Sequence, residues 1–134
     1  MTLAAAVDGL RTAMRTVTGL KRVYDDPPAS INEFPAAIVF AVSGELSDTG
    51  AGALALHTLA VEVYQDPAVT AQAIDAAKVW PDRVLSAIAA DPTLGGSVAH
   101  VRYPVTYRMG PIAYNGAQAP HYGVTFQVTV KVIT

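Results

Sequence analysis

Three histidines, His57, His100 and His121, are the natural candidates for metal binding or proton transfer. Their surroundings read as two strands and a loop. No HExxH-like pair places two of them one helical turn apart, so nothing at helical spacing supports a zinc or iron site. Five serines are present, Ser30, Ser43, Ser47, Ser86 and Ser97, and none lies in a GxSxG elbow. Gly50-Ala51-Gly52 looks like part of a dinucleotide fingerprint. The third glycine is missing, and a strand follows where a helix is required. No phosphate-cradling GxxxxGK[ST] segment occurs. Carboxylates pair at Asp25-Asp26, beside prolines, and at Glu45 with Asp48 in a polar stretch. Solvated loop charge is the simpler account of both. A hydrolytic site would require His121 to converge with Glu45 or Asp48, within hydrogen-bond reach. Arg102, Arg108 and Lys131, with Tyr103, Tyr107 and Tyr114 nearby, superficially suggest an RNA-binding sheet. No RNP-like motif accompanies them, and a period of two puts Tyr103 and Tyr107 on the face opposite Arg102.

The elements that must position these residues follow from periodicity. Leu3, Val7, Leu10, Met14 and Val17 form one apolar stripe, so residues 2–18 predict a helix with Thr2 as its cap and Gly19 as its stop. Leu20 to Tyr24 predicts a short strand, and Asp25-Asp26-Pro27-Pro28 a surface loop lasting to Pro35. Ala36 to Val42 is apolar on both faces, as in a strand covered on both sides. Ser43 to Gly52 reads as a long hairpin loop, and Ala53 to Gln65 alternates as a strand. Asp66-Pro67 predicts the start of a second helical region lasting to Ala90, with Asp66 as N-cap and a kink at Pro81 near Trp80. Trp80 could anchor an interface or fill core space at the kink. Asp91-Pro92 and Gly95-Gly96 end the region. Ser97 to Tyr107 alternates, and Pro104 marks an edge or a bulge. Arg108 to His121 reads as a long exposed loop, and Tyr122 to Thr134 as the clearest strand. The order α–β–β–β–α–β–β predicts an α+β fold: a mostly antiparallel sheet, two helices packed on one face, and long hairpin loops.

Composition narrows the function classes. The chain has 134 residues, a length for one domain spanning 1–134. Lys plus Arg number 9 against 11 Asp plus Glu, a net charge of −2, which argues against binding nucleic acid by blanket phosphate neutralisation. Cys is absent, excluding disulfides and thiolate metal sites. The 51% hydrophobic content comes largely from 24 Ala and 17 Val spread along the chain, so no membrane-spanning run forms. The N-terminus lacks the pattern of a signal peptide. Charged residues are only 15%, and small apolar residues such as Ala51, Ala53, Ala113, Ala117 and Ala119 fall in expected loops. Such surface is suited to being covered by other subunits.

Several segments together resemble the tail terminator and tail completion proteins of long-tailed bacteriophages. They are the helix from Thr2 into Asp-Asp-Pro-Pro, Phe34-Pro35-Ala36-Ala37-Ile38, and Asp91-Pro92-Thr93-Leu94-Gly95-Gly96-Ser97-Val98. The last are Gly110-Pro111-Ile112-Ala113-Tyr114 and Tyr122-Gly123-Val124-Thr125-Phe126-Gln127-Val128. The resemblance spans nearly the whole chain as an order of elements. It implies a non-enzymatic virion protein, made in the host cytoplasm and placed at the tail neck, with no cofactor and no membrane association. Its partners would be other copies of itself in a ring, commonly a homo-hexamer, the tail tube protein and the head-completion connector. DNA would pass through the lumen without sequence-specific binding, and low net charge suits such sliding. Another neck component, a head-completion or adaptor protein, shares the general look. Glu45 and Asp48 in the first expected loop, Arg108, Tyr114 and His121 in the second, and Arg102 on the strand before it are the candidate contacts to neighbouring subunits or partners.

Overall fold

The computed structural model describes residues 1–48, 53–114 and 120–133. Helix α1, Leu3–Met14, begins where Thr2 accepts a hydrogen bond from the Ala5 amide at 3.0 Å, the capping geometry expected of a threonine there. It stops four residues earlier than its apolar stripe predicts. The amides of Thr16 and Val17 turn back to the carbonyls of Ala13 and Met14 at 3.1 and 3.0 Å, a tighter pattern that commonly ends helices. Val17 is nonetheless buried, so the stripe extends past the helix that it packs.

The strands are β1 (Arg22–Tyr24), β2 (Ala36–Asp48), β3 (Ala53–Asp66), β4 (His100–Ile112) and β5 (His121–Ile133). They form one open sheet in the order β1-β2-β3-β5-β4. Only β1 and β2 run parallel; the other neighbours are antiparallel. Both stretches expected as long loops are largely strand. Ser43 to Asp48 continues β2 and pairs with Ala53 to Thr58, while Arg108 to Ile112 continues β4 and pairs with His121 to Thr125. Glycine and proline content pointed to loops, but pairing with a long neighbour outweighs local propensity. Of the alanines expected in loops, Ala53 starts β3 and Ala113 is exposed just after β4. Ala51, Ala117 and Ala119, like Gly50 and Gly52, lie outside the described residues. Pro104 falls on the edge strand β4, where the register shifts between Arg102 and Thr106, so the edge and the bulge occur together.

The second helical region starts later than expected. Asp66 ends β3 and accepts from the Ala68 amide at 3.2 Å. The cap is Thr70, which accepts from the Ala73 amide at 3.0 Å. Pro67 therefore occupies a turn. Helix α2 (Ala71–Ala76) passes through a single 3-10 turn, Ala77–Val79, into α3 (Trp80–Ala90), with Pro81 in its first turn. Trp80 is core: it is buried, and its indole N–H donates to Gln65 Oε1 at 2.6 Å. Leu94, Gly95 and Gly96 take positive φ values of 47°, 70° and 83° in the turn that returns the chain to β4.

The helices cover one sheet face. Leu10 and Met14 of α1 and Val84 and Ile88 of α3 share a core with Val39, Val61, Val63, Val124, Phe126, Val128 and Val130. A smaller cluster lies on the opposite face, at one end of the sheet, where Ile31, Ala36, Ile38, Tyr64 and Tyr114 pack together.

Candidate assembly surfaces

The outer edge of β2 is the first surface. Strand β1 covers only Ala36 to Ile38, and the Arg11 guanidinium donates to the Val39 carbonyl at 3.2 Å. From Ala41 to Asp48 every residue is exposed. A bulge between Ala41 and Ser43 shifts the register. Strict alternation from Ala37 would place Glu45 toward the helices; the extra residue turns Glu45 to the opposite, polar face and Leu46 to the helix face. Leu46 is 81% exposed. It borders a cleft of about 540 Å³ between the start of α1 and the hairpin, with Leu3, Ala55, His57 and Val132 also in the walls.

The second surface is the opposite edge. Strand β4 pairs only with β5 among the described strands. Tyr103 and Tyr107 on it are 55% and 56% exposed, and Leu85 of α3 is 47% exposed. A shallow groove of about 220 Å³ between α3 and β4 is lined by Pro81, Leu85, Val105, Tyr107 and Phe126. The Tyr107 ring tilts against Phe126, centroids 6.1 Å apart. Arg102 pairs with Thr129 and Arg108 with Thr125, so both arginines share the polar face with Lys131. Tyr107 pairs with Phe126 and faces the helices. Arg108 and Tyr107 therefore lie on opposite faces of β4 and share no platform.

The remaining two candidate contacts sit elsewhere. His121 stacks on Phe34 at 5.6 Å and meets Tyr64 and Tyr114 edge-on at 5.8 and 6.4 Å. Tyr114 is buried, and its hydroxyl donates to the Pro28 carbonyl. Tyr64 donates to Glu62 Oε1 at 3.0 Å. Burial raises the Glu62 carboxyl pKa, and the Tyr64 hydrogen bond opposes the rise only in part. Burial, and then the neighbouring Glu62 charge, pushes the Tyr64 phenol far above its ordinary value; burial also raises that of Tyr114. This corner fastens the loop before β2 to the sheet. Glu45 lies opposite Leu56, which pairs with Lys131, nearly the whole length of β5 from His121. At ~3.3 Å per residue the separation is about 30 Å, so His121 and Glu45 cannot share one proton-transfer site. Among the described residues, no group of three His, Cys, Asp or Glu is arranged to hold a metal ion, and no helix is long and apolar enough to cross a membrane.

Sequence reasoning placed Glu45, Asp48 and Arg108 in loops and Arg102 on a strand; the structure puts all four on the two outer strands. It missed Leu46 and Leu85 as surface. Val42 and Leu46, apolar residues inside a glycine- and serine-rich stretch, were the available signal.

No protein-family model matches the chain, and no curated protein matches it. Among solved structures, a chain from a structure described as "Virion of native gene transfer agent (GTA) particle" superposes with a TM-score of 0.42 at 16% identity, over 98% of this chain and 99% of that chain.

Proposed function

We propose that this chain is a structural virion subunit that assembles head to tail into a tail-terminator ring, commonly of six copies, which caps a phage tail tube and meets the head connector. The observation that carries the reading is the presence of two unlike apolar surfaces on opposite edges of one sheet, Leu46 with its cleft on one side and Tyr103, Tyr107 and Leu85 on the other. A closed ring needs this arrangement: each copy offers one patch to the copy before it and a different patch to the copy after it. A two-fold dimer needs only one self-complementary patch. Unpaired strand edges of this length are uncommon on proteins that act alone, because they template pairing with other chains. The resemblance in element order to tail terminators supports the same role.

Native mass spectrometry and negative-stain imaging, each with and without purified tail tubes, test the reading. The expected result is a closed ring, or a ring that forms on the tube end and stops its growth. A chain that stays monomeric at micromolar concentration and never joins a tube overturns it. Co-assembly with filled heads in place of tubes would move the subunit to another storey of the neck.

A further inference from the structure

Charge segregates by edge. Strand β2 carries Glu45 and Asp48 and no basic residue, whereas β4 carries Arg102 and Arg108 and no acidic one. The ion pairs among the described residues join Arg11 to Asp8, Arg15 to Asp25, Arg22 to Glu33 and Lys78 to Asp75. None of them engages Glu45, Arg102 or Arg108, all of which are exposed.

Facing follows from register. The β2 bulge puts Glu45 on the polar face and Leu46 on the helix face. Pairing with β5 puts Arg102 and Arg108 on the polar face and Tyr107 on the helix face. A sheet continued from one copy into the next preserves these faces. One antiparallel edge-to-edge contact therefore brings Glu45 toward Arg108 on one face and Leu46 toward Tyr107 on the other. The charge match and the apolar match arise on opposite faces, yet a single arrangement meets both. Pairing β2 with β2, or β4 with β4, instead gathers like charges, which is unfavourable across strands.

We propose that the occupant of the β2 edge, residues 41–47, is the β4 edge of a second copy of this chain, with Glu45 facing Arg108 and Leu46 covering Tyr107. The inference rests on the head-to-tail ring reading and specifies its contact. Backbone groups of the two edges supply the strand pairing, and the charges set which edges meet.

Two variants test it: Glu45→Arg, and the double change Arg102→Glu with Arg108→Glu. Each gives the polar faces of a subunit's two edges charges of the same sign. The residues are exposed, so circular dichroism should match the wild-type spectrum for both. Each variant alone is expected to need about tenfold or more protein to assemble, read by sedimentation or native mass, with tail tubes present if the wild type requires them. An equimolar mixture should recover assembly, with the two variants alternating. Either variant assembling like the wild type, or a mixture that stays dissociated, overturns the contact. A wild-type ring indifferent to these changes removes the contact and leaves the ring; a wild type that never assembles removes the ring itself.

Discussion

Gly9 is out of place by local rules, since glycine inside a helix costs roughly 0.5–1 kcal/mol relative to alanine. Its neighbours explain it. A Cβ at that position would lie 2.6 Å from the Leu94 carbonyl oxygen and would collide with Ser97 Oγ, so α1 can press on the turn before β4 only without a side chain. Gly9→Ala should destabilise the fold by about 1–3 kcal/mol in a urea titration, overpacking outweighing the helix gain; a more stable variant would refute the close approach. Glu62 gives a prediction in pH. Its folded-state pKa lies above the ordinary carboxylate value because the carboxyl is buried. Between the two values the folded state binds more protons than the unfolded one, so Glu62 makes stability fall as pH rises through that window. Glu62→Gln keeps an oxygen for the Tyr64 hydroxyl and abolishes the charge. It should flatten that decline and leave stability at neutral pH no lower than wild type; an unchanged slope would contradict the burial. Of these local features, the Thr2 cap was legible because capping chemistry is local. The contacts of Gly9 and the Tyr64–Tyr114–His121 corner join residues far apart in the chain, where periodicity carries no information.

At the scale of elements, the order of helices and strands was legible and their ends were not. Alternation in Tyr122 to Val132 and the stripe in α1 each span enough residues to fix a period. Strand ends depend on partners: Ser43 to Asp48 is strand because β3 runs beside it, and Gly110-Pro111 is strand because Tyr122 and Gly123 lie opposite. The bulge after Ala41 was equally invisible, and it decides which face each later residue of β2 occupies. Leu46 shows the consequence. A leucine 81% exposed contributes little to the fold of one copy, so Leu46→Lys should change stability by no more than about 0.5 kcal/mol. In an assembled ring the same side chain is covered, and burying a leucine is worth ~1.5–3 kcal/mol. Assembly of Leu46→Lys should therefore need about tenfold more protein or worse, by sedimentation. Loss of folding stability with unchanged assembly would show that Leu46 serves the monomer.

For the whole molecule, salt separates the two halves of the assembly contact. Net charge is only −2, so repulsion between whole subunits is slight and added salt relieves little. Attraction between Glu45 and Arg108 lies at exposed positions, and exposed pairs are strongly screened over a Debye length of about 8 Å at physiological ionic strength. The Leu46 and Tyr107 side of the contact responds in the other direction, because sulfate is excluded from protein surface and strengthens apolar burial. Raising sodium chloride should therefore increase the protein concentration needed to assemble, while ammonium sulfate at matched ionic strength should increase it less or lower it. Glu45→Arg should invert the chloride response, since screening then relieves a repulsion between like-charged edges. Leu46→Lys should retain the chloride response and lose most of the sulfate benefit. A wild-type midpoint indifferent to chloride would leave apolar burial and strand pairing as the whole of the contact, and the sign segregation between β2 and β4 without an energetic role.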